Sequence, residues 1–529
     1  MKENFNKIKK YFSFKNSILF GSVVLLYVVL FVIYYKQFTS FIFFDEFADI
    51  VAGKFLLEGK QLYSQQFFNH QMLPVYISSL IQLITKPESL YQLIIYHRVF
   101  IFIFSFVAGV LIVSKMRWYG LATLAIYEII KYYLFGYLFL AESMIVYIHI
   151  FLFYLGWKRI SKESITQFEL WIASIGTWFV LWSREPYVPL VLLLYSVIIF
   201  HKNIKKIPFL QVGSFLALSV VTFATVSIPD YIYEVIFVNY KTVLSDQVSA
   251  GVTKGLGFFS LFFYPIFTFI SGQDTFFRVF LICLSAVFLL ALGYFLIKTK
   301  KMWIGVYIFF VLVFANVRMV EPGTIYYGAF YQIQWVGLCI AATFLLIKNI
   351  FILQKKVAMI LSVSMLLATF FVVVQKDSYI TRSVDREQLF SFQYDKYYVT
   401  ANTIDMLAKS GDTLHVDFSE SLLYWESKTP PAFKYVVYYP VMNDIDFYKK
   451  QRIEMFKNNP PTFYYRNCSE ANTLFYQLDK KIQYEYAPIQ YVDQVNCLYI
   501  LKEAARKLSQ EQMDAIKANG YTIEPSALR

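Results

Sequence analysis

Apolar runs close to the length of a membrane-crossing helix recur through the first 375 residues, and they constrain this chain more than any motif does. A span needs about 20 predominantly apolar residues. The runs at 18–35, 93–113, 118–136, 143–157, 168–182, 187–200, 209–227, 279–297, 302–315, 328–347 and 357–374 approach or reach that length. They predict a mainly α, polytopic membrane protein with about eleven transmembrane helices. A hydrophobic content of 58% exceeds what a soluble core requires. The 20% of aromatic residues suits interfacial belts, although a biased genome would produce the same figure.

The net charge of +13 gains meaning from its placement. Lys115 and Arg117, then Lys158, Arg159 and Lys162, then Lys202, Lys205 and Lys206, then Lys348, Lys355 and Lys356 sit in short turns between apolar runs. That pattern speaks for orientation across a bilayer and against nucleic-acid binding. It places the N-terminus in the cytoplasm and the C-terminus outside. The apolar stretch 258–271 is then interfacial or re-entrant, since as a span it would carry Lys298, Lys300 and Lys301 to the outer side; 229–257 before it reads as a polar outer loop. Lys2, Lys7, Lys9, Lys10 and Lys15 lead into a full-length span without a small-residue cleavage site, so no cleaved signal is expected.

At Lys376 the composition changes, dividing the chain into a membrane domain, 1–375, and a C-terminal domain, 376–529. Strand-like segments at 413–418, 462–465 and 498–501 alternate with helix-like ones at 397–409, 444–458 and 509–519. A small extracytoplasmic α/β domain is predicted. Cys283 and Cys339 fall in apolar runs. Cys468 and Cys497 can pair if their region lies outside the cytoplasm, or be two unrelated buried thiols.

Chemistry concentrates in the first outer loop, 36–91. Asp45 and Glu46 stand where the outer surface should begin, with Asp49 four residues after Asp45 on the same helical face. Phe47, Ile50, Val51, Phe55 and Leu56 recur with helical spacing, so 45–58 reads as an interfacial amphipathic helix stopped by Gly59. A second apolar segment, 73–84, begins beside Pro74 and is too short to span, so it lies on or dips into the surface. Taken alone, the acidic pair is also explained as a solvated helix start favoured by the helix dipole.

The pattern resembles the first outer loop of the GT-C glycosyltransferases that use polyprenyl-phosphate sugars, such as protein O-mannosyltransferases and lipid A aminoarabinose transferases. The matching residues are Phe44-Asp45-Glu46, Gly59, Tyr63 and the turn His70-Gln71-Met72-Leu73-Pro74. Met72 stands where that group commonly has Pro, and Pro74 is displaced. The resemblance implies a GT-C-like fold with interfacial helices in the first loop. It also implies an inverting single displacement that moves a monosaccharide from a polyprenyl-phosphate carrier to an acceptor hydroxyl of a glycan, lipid or protein. Asp45 would be the general base and Glu46 or Asp49 would orient the acceptor or tune the base.

Intramembrane and interfacial charges mark function by default. Arg98, Arg184 and Arg318 are candidates for the donor phosphate, because a guanidinium binds two phosphate oxygens and stays charged in an apolar site; snorkelling accounts for them equally well. The GT-C group has an acidic residue where Glu142 stands and a Tyr-containing motif where Tyr326 and Tyr327 stand. With His70 these complete the expected substrate cavity. Glu128 and Lys131 lie at helical spacing within a span and read best as a structural ion pair. His70, His97 and His149 have no metal-ligand spacing, and the pattern specifies no cofactor, although a divalent cation on Asp45 or Glu46 is compatible with it. The rival reading is a lipid or polysaccharide transporter, or flippase, without glycosyl transfer. A third is a sensor or scaffold whose outer domain binds glycan. A bacterial plasma membrane is the preferred setting, with an archaeal one fitting the same physics.

Overall fold

The computed structural model describes residues 14–523 apart from 201–208, 242–274, 318–328, 376–377, 383, 418–419, 434, 439, 444, 467–477, 479 and 492–496. The described residues of Met1–Phe38, His97–Thr222 and Gln247–Asp385 form one compact unit. Those of Thr39–Tyr96, Phe223–Asp246 and Arg386–Arg529 form a second.

The first unit is a helical bundle. Five helices among the described residues are long and apolar enough to cross a membrane: Ser17–Gln37, Leu90–Met116, Val279–Thr299, Ala329–Leu353 and Lys355–Val373. A sixth is added if Phe209–Phe223 and Ile228–Val238 count as one bent span. This is a multi-pass membrane protein, and by that measure five or six of the eleven expected spans are met among the described residues. Apolar runs do form helices at Trp118–Ile130, Gln167–Leu181, Val188–Ile199 and Met302–Ala315, with 13, 15, 12 and 14 residues respectively. At 1.5 Å per residue each falls short of the roughly 30 Å hydrocarbon layer. Ala141–Ile160 has 20 residues but carries Glu142, Lys158 and Arg159. The stretch 258–271 lies outside the described residues.

Ile333–Leu353 is the axis of this bundle, packing against Thr275–Thr299, Ala141–Ile160, Lys355–Val373 and Trp118–Ile130. Gly337 permits one of these approaches: a Cβ there would stand 2.5 Å from Cγ2 of Val146. Outer faces remain apolar, with Leu25, Val28, Val32, Ile360 and Leu367 exposed, as a lipid-facing surface requires.

The second unit is built from three separate stretches of chain. A six-stranded mixed sheet contains β1 (Leu414–Asp417), β2 (Val437–Tyr438), β3 (Phe463–Tyr465), β4 (Tyr486–Tyr491), β5 (Leu498–Leu501) and β6 (Tyr521–Ile523). Its order is β2-β1-β3-β5-β4-β6. β1 runs parallel to β2 and β3, and the remaining pairs are antiparallel. Phe67 from the first loop and Val238 join Tyr438, Tyr448, Phe456, Tyr464 and Tyr486 in one core. The region read as a polar loop after 229 instead holds a helical turn, Ile228–Tyr231, and a π-helical segment, Ile232–Val238. Its Glu234 accepts hydrogen bonds from the Phe68 N–H at 2.8 Å and the Tyr448 hydroxyl at 3.1 Å. These bonds tie the three stretches together.

Candidate functional site

In the second unit the acidic helix runs Phe44–Leu57 after extended backbone at Phe43. Asp45 and Glu46 occupy its first turn, where four backbone N–H groups lack helical partners and negative charge is favoured. The helix turns the two carboxylates to different environments. Glu46 is completely buried and Asp49 is 8% exposed, whereas Asp45 is half-exposed. Asp45 makes no hydrogen bond or ion pair with any described residue.

The backbone entering this turn is held from several directions. Oγ1 of Thr39 donates to the Arg386 carbonyl at 2.9 Å, Nε2 of Gln393 to the Ser40 carbonyl at 2.8 Å, and the Tyr394 hydroxyl to the Phe41 carbonyl at 3.0 Å. Phe47 packs its ring edge-on to Tyr394, 6.1 Å between centroids. Arg386, Gln393 and Tyr394 all belong to the helix Arg386–Leu407. Behind the acidic helix lies Leu73–Thr85, the short apolar segment after Pro74. At Gly53 a Cβ would stand 2.7 Å from Oγ of Ser78, so only glycine permits this spacing. Gln82 bridges the pair: its Nε2 donates to the Ile50 carbonyl at 2.8 Å while its Oε1 accepts from Nε1 of Trp425 at 3.1 Å. Lys54 donates to the Tyr424 carbonyl at 2.7 Å, and burial lowers its pKa against the opposing pull of Glu58. Gly59, at φ +84°, ends the helix as its position predicts.

The turn after this helix is anchored through the His70 carbonyl and the Gln71 side chain. The Tyr63 hydroxyl donates to the His70 carbonyl at 2.9 Å, and Gln71 exchanges hydrogen bonds with the Tyr231 hydroxyl at 3.0 and 3.1 Å. The His70 ring lies edge-on to Phe68.

The first unit contains the other charged candidates. Arg98 is completely buried, donates through Nη1 to the Phe38 carbonyl at 2.5 Å and lies 5.7 Å from the Tyr137 ring centroid. Arg184 pairs through Nε with Oε1 of Glu142 at 2.9 Å, with both side chains buried. The Glu142 carbonyl accepts from Nε2 of Gln334 at 3.0 Å, and Oε1 of Gln334 lies 2.7 Å from Nδ1 of His149. One polar chain thus links two helices and the turn at Arg184: a candidate cavity residue, a candidate phosphate ligand, and Gln334, which the sequence did not single out. Arg318, Tyr326 and Tyr327 lie outside the described residues.

Glu128 and Lys131 form the ion pair that their spacing suggests, 2.6 Å apart and completely shielded. Hydroxyls of Tyr27 and Tyr147 donate to Glu128 at 3.0 and 2.5 Å, and Lys131 also donates to Oγ of Ser105. Among the described residues no three His, Cys, Asp or Glu side chains gather in a way that could hold a metal ion.

The sheet holds a cluster that sequence reasoning missed. Arg452 grips Asp417 with two nitrogens, at 3.2 and 2.5 Å, while Nε2 of His415 lies 3.0 Å from the same carboxylate and the Tyr464 hydroxyl donates to it. Burial pushes the Asp417 carboxyl upward, but Arg452, His415 and Tyr464 outweigh it and hold the pKa down to about 2. His415 is driven towards its neutral form by burial, against the pull of Asp417. The alternation in Leu414-His415-Val416-Asp417 was the available signal, since His415 and Asp417 must share one face of a strand. Cys497, before β5, is disulfide-bonded; Cys468 lies outside the described residues.

No protein-family model matches the sequence, and no curated protein matches it. Solved structures do. The crystal structure of ArnT from Cupriavidus metallidurans bound to undecaprenyl phosphate superposes with a TM-score of 0.56 at 9% identity, covering 91% of this chain and 97% of that one. The Archaeoglobus fulgidus oligosaccharyltransferase matches with a TM-score of 0.43 at 10% identity over 92% of this chain and 74% of that one. The first similarity gives the fold, which is GT-C-like.

Proposed function

We propose that this protein is a membrane glycosyltransferase that moves a monosaccharide from a polyprenyl-phosphate carrier, of undecaprenyl or dolichyl type, to an acceptor hydroxyl. The observation that carries this reading is Asp45: a half-exposed, unpaired carboxylate in the first turn of a braced helix, in a chain with a GT-C-like fold. A carboxylate placed within reach of a hydroxyl can take its proton during displacement. In the reaction the acceptor oxygen attacks the anomeric carbon as its proton passes to Asp45. The bond from that carbon to the carrier phosphate breaks, and the configuration inverts. Glu46 and Asp49, buried beside Asp45 in sequence, set its position and local field.

The departing phosphate gains negative charge, which a guanidinium stabilises. Arg98, Arg184 and Arg318 are assigned this role, and His70, Glu142, Tyr326 and Tyr327 the shaping of the substrate cavity. The bound undecaprenyl phosphate of ArnT supports the choice of carrier. A disulfide at Cys497 supports an oxidising compartment for the C-terminal region. That agrees with a bacterial plasma-membrane protein whose N-terminus is cytoplasmic.

The test is incubation of the purified full-length protein with a panel of radiolabelled polyprenyl-phosphate monosaccharides and candidate acceptors. Transfer by wild type, its loss in Asp45→Asn and retained carrier binding are the expected results. Transport of carrier without sugar transfer, unchanged in Asp45→Asn, would instead establish a transporter.

A further inference from the structure

Within the first unit the helices Trp118–Ile130, Ile333–Leu353 and Lys355–Val373 pack on one another. They leave a trough of about 550 Å³. Its floor is Phe344 and Ile347, both buried, and its sides include exposed Phe351 and Met359. The hydroxyl of Ser362 in the wall donates to the Ala358 carbonyl of its own helix at 2.9 Å. The interior is therefore dominated by apolar surface.

The rim is different. Lys355 and Lys356 stand at one end, exposed, and neither pairs with a carboxylate among the described residues. Exposed Trp118 and half-buried Tyr119 share the lining, and such rings settle at the boundary between hydrocarbon and headgroups. The lysines open a span, Lys355–Val373, so the charged rim falls at the polar edge of the bilayer. An apolar slot with unopposed cations at its mouth complements an acyl chain ending in an anionic headgroup.

We propose that this trough is a binding site for an anionic phospholipid of the bilayer, with one acyl chain along Phe344, Ile347 and Met359 and its phosphate at Lys355 and Lys356. The site stands on these residues alone and does not depend on sugar transfer. Native mass spectrometry of the full-length protein in neutral detergent tests it, titrating phosphatidylglycerol against phosphatidylcholine with the same acyl chains and against undecaprenyl phosphate. One tightly held phosphatidylglycerol is expected, weakened about tenfold to thirtyfold in K355Q/K356Q because each lysine contributes to the attraction. Ala122 also lines the slot, and Ala122→Phe, which fills it and keeps both lysines, should weaken binding as well. Unchanged phosphatidylglycerol binding in K355Q/K356Q, equal binding of phosphatidylcholine, or stronger capture of undecaprenyl phosphate by the same lysines would each overturn the proposal.

Discussion

Glu128 in the helical bundle and Asp45 in the second unit are both carboxylates beside apolar helices, and the chain treats them oppositely. Glu128 is sealed: a lysine one turn away neutralises it, two tyrosines donate to it, and no solvent reaches it. Asp45 is left open, with its bracing applied to the backbone around it and not to its oxygens. A charge in a membrane protein is therefore informative only together with its partners. A saturated carboxylate has no capacity left for a substrate proton, whereas an unpartnered one on a rigid turn retains it.

The largest effect expected from this contrast is at Asp45. Asp45→Asn should reduce sugar transfer by about 10²- to 10⁴-fold, with the unfolding temperature unchanged. If it lowered stability instead, the open carboxylate would belong with the sealed one. Lys131→Met should do the reverse, leaving Glu128 buried without its counter-charge at a cost of about 3–5 kcal/mol, read as a lowered unfolding temperature.

A third carboxylate extends the contrast: Asp417 of β1, sealed by Arg452. Its folded pKa of about 2 lies below the unfolded value of roughly 4. Its contribution, about 2–3 kcal/mol, is present above the unfolded value and disappears as pH falls through the folded one. His415 acts with the same sign from higher pH: its lowered folded pKa favours the neutral ring, so stability starts to decline below about 6.5. Thermal unfolding between pH 7 and pH 2 should show this decline, and Asp417→Asn should remove its acidic part. The smallest effect is at Gly53. Gly53→Ala forces a Cβ to 2.9 Å from the Ser79 nitrogen, an overpacking cost of about 1–3 kcal/mol. Transfer should fall with it, because the displaced helix carries Asp45 in its first turn.

What the sequence disclosed follows from how local each signal is. The acidic helix was legible from apolar spacing and Gly59, and Leu414–Asp417, Phe463–Tyr465 and Leu498–Leu501 from β-branched and aromatic runs. β2, β4 and β6 were not, because two- and three-residue strands carry no period and β4 contains Pro488. Helical phase could not decide which of Asp45 and Glu46 is buried, since that depends on what the rest of the second unit covers. The Asp417 cluster joins Arg452, 35 positions on, to a strand whose four residues are all buried, a pairing that only the tertiary fold creates. Five or six of the eleven apolar runs form helices of crossing length among the described residues, and apolarity alone does not distinguish a short buried helix from a crossing one.

The order of the mixed sheet has a consequence for a protein crowded at a surface. Among the described residues its two borders are β2, with two residues, and β6, with three. These borders offer a visiting strand from another molecule few free ladder positions among the described residues. High local density need not seed fibrils from this part of the chain.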